Sequence, residues 1–175
     1  MMIALLALGA GLQLPPPQLE IANKVTGAGK PECTSYQVDG TAGPCLPIFE
    51  IEPGGQVSGR RAGPLIAFTR AATVQLTRDE FALLAGHEIA HFYLGHIESN
   101  PANELAADRL GAQFACQAGY DPAVGVSLFR LFAAGKTHPR RAERRAAVLG
   151  VRCDLQLAVI PPDAPATPRN TVELR

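Results

Sequence analysis

The sequence predicts an α+β fold, mostly helical, with a small sheet. Three observations carry this. From Thr77 to Gly150 the apolar residues follow helical spacing, broken only at helix start and stop signals. Before Thr77, the runs IFEIE at 48–52 and PLIAFT at 64–69 have strand character. The 175 residues, 47% of them apolar, suffice for one domain with a core of its own.

The chain opens with MMIALLALGAGLQLPPP, apolar for about a dozen positions and then stopped by prolines. That is too short to span a bilayer as a helix. It has the length of the apolar part of a secretory signal, with small residues at Gly9, Ala10 and Gly11, although no Lys or Arg precedes it. A periplasmic or secreted protein is expected. The alternative is a cytoplasmic one whose apolar N-terminal arm packs on the domain. The expected organisation is a signal or apolar segment over 1–14, one domain over 15–160 and a Pro-rich tail over 161–175.

Residues 15–64 are rich in Pro and Gly. YQV at 36–38 and IFEIE at 48–52 are strand candidates, and GGQVSGRRAG at 54–63 reads as turns and a loop. PLIAFT follows and is expected at the edge of the sheet. Four cysteines, Cys33, Cys45, Cys116 and Cys153, allow three pairings. Cys33 with Cys45 is the favoured pair, because it closes a small loop.

The helices come next. Thr77 followed by Glu80 is a capping box, and a helix is expected from Arg78 to about Leu94. Gly86 is its weak position, and lets another backbone come close or is a tolerated accident. Asn100-Pro101 starts a second helix running to Ala118, with Gly119 as its stop. Asp121-Pro122 starts a third and Pro139 a fourth, ending near Gly150. VRCDLQLAVI at 151–160 alternates and is read as a late strand.

Lys plus Arg and Asp plus Glu are both 16, so the formal net charge is zero. No nucleic-acid partner is expected from that balance. The local exception is 136–152, with six basic residues against one acidic residue, Glu143.

The chemistry concentrates in His87-Glu88-x-x-His91, the pattern HExxH. Residues four apart share a helix face, so both imidazoles can address one metal ion. Glu88 is turned by about 100° from His87 and can reach a water without occupying a ligand place. A catalytic zinc needs a third protein ligand and an open position. Six residues beyond His91 stands Ile97, so no third histidine is found there. Glu104, near the start of the second helix, is the best third ligand. Asp108, four residues on, is placed to bond the far nitrogen of a ligand histidine. An Asp108→Ala change is expected to leave the fold intact and weaken the site. His96, five past His91, faces elsewhere on an ideal helix and is expected to meet carbonyls or solvent.

From Leu65 to Leu149 the chain resembles the HtpX and CAAX-prenyl-protease family of zinc metallopeptidases. The resemblance rests on PLIAFTRA leading to LTRDEFALLAGHEIAH, on Glu104 with Ala107-Asp108, on CQAGYDPAVGVSLFRLF, on Thr137-His138-Pro139 and on Arg144 six residues past His138. It implies a zincin-like domain of the gluzincin type, with the small sheet above the HExxH helix. It implies one zinc on His87, His91 and Glu104, Glu88 as the catalytic glutamate, Asp108 in support, and His138 and Arg144 near the cleft. The expected activity is peptide-bond hydrolysis by a metal-activated water with Glu88 as general base. Protein or peptide substrate is expected to lie extended along the edge strand near Leu65–Phe68. The alternatives are a non-catalytic, metal-stabilised adaptor of the cell envelope, and an exported protein docking through its basic 136–152 segment.

Overall fold

The structure, a computed structural model, describes residues 12–29, 34–36, 42–44 and 46–153. The chain is α+β and mostly helical. Helix α1 spans Pro16–Ala28, α2 Arg70–Gln75, α3 Arg78–Tyr93, α4 Pro101–Gln117, α5 Pro122–Gly125 and α6 Arg141–Leu149, with a 3-10 turn at Val126–Leu131. Strands β1 (Thr34–Tyr36) and β2 (Ala42–Pro44) form an antiparallel pair. Strands β3 (Ile48–Glu52), β4 (Gly59–Ala62) and β5 (Leu65–Thr69) form a second sheet in the order β3-β5-β4. Among the described residues no helix is long and apolar enough to cross a membrane.

Two expectations about the sheet are overturned. Leu65–Thr69 is the central strand and not the edge: β3 pairs with it in parallel and β4 in antiparallel register. Its run Ile66-Ala67-Phe68-Thr69 is buried throughout, as a strand covered on both faces should be. The second overturned expectation is the loop at 54–63, because Gly59–Ala62 is a strand. GRRA has almost no apolar content, and its pairing is set by the partner Leu65–Phe68. The outer edge of β3 meets Leu12, whose carbonyl accepts from Ile51 N–H at 2.7 Å. Leu14 is buried in the main core, so the domain begins within the segment expected as 1–14. That leaves β4 as the sheet edge, and it packs on α3.

Helix α1 was not expected in the Pro- and Gly-rich region. Its two leading prolines occupy the first turn, where the missing N–H groups have no helical partner anyway. Its inner face, Ile21, Ala22, Val25 and Thr26, packs on α3 and α4.

Helix α3 is the axis of the domain. Every residue from Glu80 to Ala90 is buried. Its capping box forms as expected: Thr77 Oγ1 accepts from Glu80 N–H, and the Glu80 carboxylate accepts from Thr77 N–H at 2.9 Å. That carboxylate also takes Ser127 Oγ–H at 2.6 Å and pairs with Arg130, tying the helix start to the 3-10 turn. Burial would raise the Glu80 carboxyl, but these donors hold it down at about 2.

Gly86 is no accident. A Cβ there would stand 2.4 Å from the carbonyl oxygen of Gly111, and one at Gly111 would stand 2.5 Å from His87 N. The two glycines are the crossing point of α3 and α4, the helices that carry the expected ligands. Gly86→Ala forces backbone against backbone, and overpacking of this kind costs about 1–3 kcal/mol. The expected result is a lower urea midpoint, since the crossing sets how closely α3 and α4 pack. An unchanged midpoint would remove this crossing from the account.

Cys116 at the end of α4 is disulfide-bonded to Cys153 beyond α6. The favoured pair Cys33–Cys45 lies outside the described residues. So do residues 154–160 of the expected late strand and the tail over 161–175; Val151–Cys153 are not in a strand. Of the third expected helix, only Pro122–Gly125 is α-helical before the 3-10 turn begins.

Candidate metal centre

His87 and His91 stand one turn apart on α3. Their Nε2 atoms face each other at 3.1 Å. From the first turn of α4, Glu104 brings Oε2 to 3.4 Å from His87 Nε2 and Oε1 to 3.5 Å from His91 Nε2. Asn100 sets this approach: its side chain caps α4 by accepting from Asn103 N–H, and Pro101 takes the first helical position. Ser99 Oγ–H donates to Glu104 Oε1 at 2.8 Å. Glu104 Oε2 is buried with no hydrogen-bond partner.

These distances can be tested against a metal. Four tetrahedral bonds of about 2.0–2.1 Å put ligand atoms roughly 3.3–3.4 Å apart. The 3.1 Å between the two imidazole nitrogens lies near that edge, and so do the approaches of Glu104, Oε2 to His87 at 3.4 Å and Oε1 to His91 at 3.5 Å. The orphaned Oε2, buried and 3.4 Å from His87 Nε2, is an acceptor that an ion at this place would satisfy. The donor set of two nitrogens and one oxygen fits zinc.

Behind His87, Asp108 Oδ1 lies 2.9 Å from Nδ1. This is the contact the spacing predicted. Asp108 is itself clamped by Arg144, with Nε on Oδ2 at 2.8 Å and an Nη on Oδ1 at 2.6 Å. Both residues are buried, and the guanidinium lies 4.6 Å from the centre of the Phe129 ring. Arg144 therefore stands in the core beside the cleft, holding Asp108, and not on the solvated face.

Glu88 is buried beside the ligands, against β4: a Cβ at Gly59 would come within 3.0 Å of its Cγ and Oε1. His138 lies between the 3-10 turn and α6 and is half exposed. Its Nε2 is 3.6 Å from Glu104 Oε2, and its Nδ1 is 2.9 Å from Thr137 Oγ1. The fold thus brings His87, Glu88, His91, Glu104, Asp108, His138 and Arg144 into one region.

The electrostatics follow from the contacts. Burial alone would push the His87 imidazole down, but the Asp108 and Glu104 carboxylates outweigh it and hold it at about 9. Burial would raise Glu104, yet the His87 and His91 imidazoles beside it, with Ser99, hold it well below the usual carboxylate range. Burial pushes the Glu88 carboxyl up, with His87 and His91 pulling against it.

His96 is the residue the sequence reading misplaced. It stays partly exposed, but one ring nitrogen turns to His91 and not to helix-end carbonyls. Its Nδ1 is 2.9 Å from His91 Nδ1. A five-residue offset points away from His91 only while the chain stays helical, and the helix ends at Tyr93. The signal was Gly95, a residue that permits a left-handed turn at a helix end.

No protein-family model matches this chain, and no curated protein matches it.

Proposed function

We propose that this protein is a zinc-dependent endopeptidase with a zincin-like domain of the HtpX type. The observation that carries the reading is the convergence of the His87, His91 and Glu104 side chains, one ligand atom of each within 4.8 Å of the others, with a buried glutamate, Glu88, beside them. A structural zinc site is closed by four protein ligands, whereas a catalytic one keeps a position open. Among the described residues the cluster has three.

A cleft of about 620 Å³ opens beside His87 and Glu88. One wall is Gly55–Gly59, leading into β4. The other carries Leu128, Phe129, Leu131 and Phe132. With Leu65–Phe68 in the sheet centre, extended substrate has the outer edge of β4 to pair with, directly over Glu88. Main-chain pairing there supplies affinity with little demand on side chains, and the apolar wall takes an apolar side chain.

His87, His91 and Glu104 would hold a zinc ion, which would supply Lewis acidity toward the carbonyl and a lowered pKa for a water. Glu88 accepts a proton from that water as its oxygen bonds to the carbonyl carbon. Glu88 then passes the proton to the amide nitrogen as the C–N bond breaks, leaving a carboxylate and an amine. His138, whose Nε2 lies 3.6 Å from Glu104 Oε2, would donate Nε2–H to negative charge developing on the carbonyl oxygen. Asp108 keeps the His87 proton on Nδ1, so that Nε2 is free to ligate. The reading extends to an exported protein, since a Cys116–Cys153 disulfide suits an oxidising compartment.

The test is metal analysis of the purified full chain beside a casein digest with and without chelator. One zinc per chain and chelator-sensitive hydrolysis are expected. Glu104→Ala should lose the stoichiometric zinc and, with it, stability of the native state. A wild-type chain that takes up no zinc, or cuts casein equally well in chelator, overturns the reading.

A further inference from the structure

Helix α3 ends in a specific hydrogen-bonded terminator. Gly95 N–H donates to Phe92 O at 3.3 Å, and His96 N–H reaches back to His91 O at 3.2 Å. Gly95 adopts φ +64, the left-handed conformation that lets the chain fold back. This is the glycine-stopped closure in which the residue after the glycine contacts the one five positions before it. Such contacts are frequently apolar. Here the two residues are His96 and His91, a residue of the proposed metal centre.

The rings meet edge to face, with centroids 5.0 Å apart, an interplanar angle of 70° and Nδ1 atoms 2.9 Å apart. His91 turns its other nitrogen, Nε2, toward His87 and Glu104. The turn is held from outside as well, because Arg61 on β4 donates to the His96 carbonyl.

We infer that His96 is a positioning residue for the metal centre: its Nδ1 accepts the Nδ1–H of His91 and thereby presents His91 Nε2 to the ion. The inference rests on the proposed zinc site. Ligation through Nε2 fixes the His91 proton on Nδ1, where it needs an acceptor. His96 Nδ1 supplies it when the His96 proton sits on Nε2. The two ligand histidines are then backed differently, His87 by an anionic carboxylate and His91 by a neutral imidazole. The neutral partner orients its ligand without adding a negative charge to a site that already holds Glu88, Glu104 and Asp108. The segment His91-x-x-x-Gly95-His96 thus serves twice, as helix stop and as ligand support.

The experiment compares zinc affinity, by competition with a chelator of known affinity, in the full-length wild type, His96→Leu, His96→Asn and His96→Gln. The Asn carboxamide oxygen falls near the place of Nδ1, whereas that of Gln reaches one atom further. Loss of a partner behind a metal ligand costs about 10–100-fold in affinity. His96→Leu and His96→Gln should show such a loss, and His96→Asn should recover most of it. Equal affinity in wild type, Leu and Gln overturns the role of His96 and leaves the zinc site standing. An Asn variant as weak as Gln also overturns it, and that comparison holds even where Leu fails to fold. A wild type that binds no zinc removes the metal reading itself, and this inference with it.

Discussion

Glu88→Gln is expected to lower casein hydrolysis by about 10²–10⁴-fold, the range that a positioned general acid–base group supplies. Zinc content should not change. The substitution keeps the size and shape of the side chain, which matters because Glu88 is buried against Gly59. It removes only the ability to take a proton from water and return it to the leaving amine. Glu88 is not among the grouped ligand atoms of His87, His91 and Glu104, so metal uptake has no reason to fall. An adaptor that holds zinc for structure makes the opposite forecast, since it has no hydrolysis to lose. The measurement is turnover of a casein or peptide substrate by zinc-loaded wild type and variant, with metal analysis of both. Turnover within a few-fold of wild type removes Glu88 as the base.

The site was more legible than the sheet. HExxH, the capping box at Thr77 and Glu80, and the Asn100-Pro101 start are local patterns whose physics is set within a few residues. They fixed where α3 and α4 begin. From those two starts the spacing of Glu104 and Asp108 followed. Strand order is another matter, because it depends on which segments pair at long range. GRRA at 59–62 has no apolar alternation, and nothing in it announces a strand. The continuous apolar run of Leu65–Phe68 did carry a usable signal: a strand buried on both faces belongs in the middle of a sheet. Cys116 and Cys153, 37 residues apart, are the pair that the favoured Cys33–Cys45 leaves. Helix α1 was hidden by prolines that a first helical turn accommodates. His96 was missed for a reason of geometry, since a five-residue offset points away on a continuing helix and points back once Gly95 turns the chain.

Asp108→Ala is expected to destabilise the protein by about 3–5 kcal/mol, the cost of removing one member of a buried ion pair. This departs from the expectation that the change leaves the fold intact, which treated Asp108 only as a partner of His87. Asp108 is 1% exposed, and it accepts two hydrogen bonds from Arg144, itself 6% exposed. Without the carboxylate, a guanidinium stays buried against Phe129 with no anion in hydrogen-bond contact; Glu104 Oε2, at 4.0 Å, is the nearest substitute. If Glu104 moves to meet that charge, it leaves its place beside His87 and His91. The same substitution also removes the acceptor behind His87 Nδ1, and loss of such a partner weakens metal binding about 10–100-fold. Stability and zinc affinity should therefore fall together. Arg144→Met separates the two effects. It removes the buried cation, fills its volume with an apolar chain and leaves Asp108 bonded to His87. Zinc affinity should then stay closer to that of wild type than in Asp108→Ala. Urea denaturation of each chain in chelator gives the stability, and competition titration gives the affinity. An Asp108→Ala chain within about 1 kcal/mol of wild type would show that Arg144 finds water or another anion, against the cost assigned to breaking a buried pair.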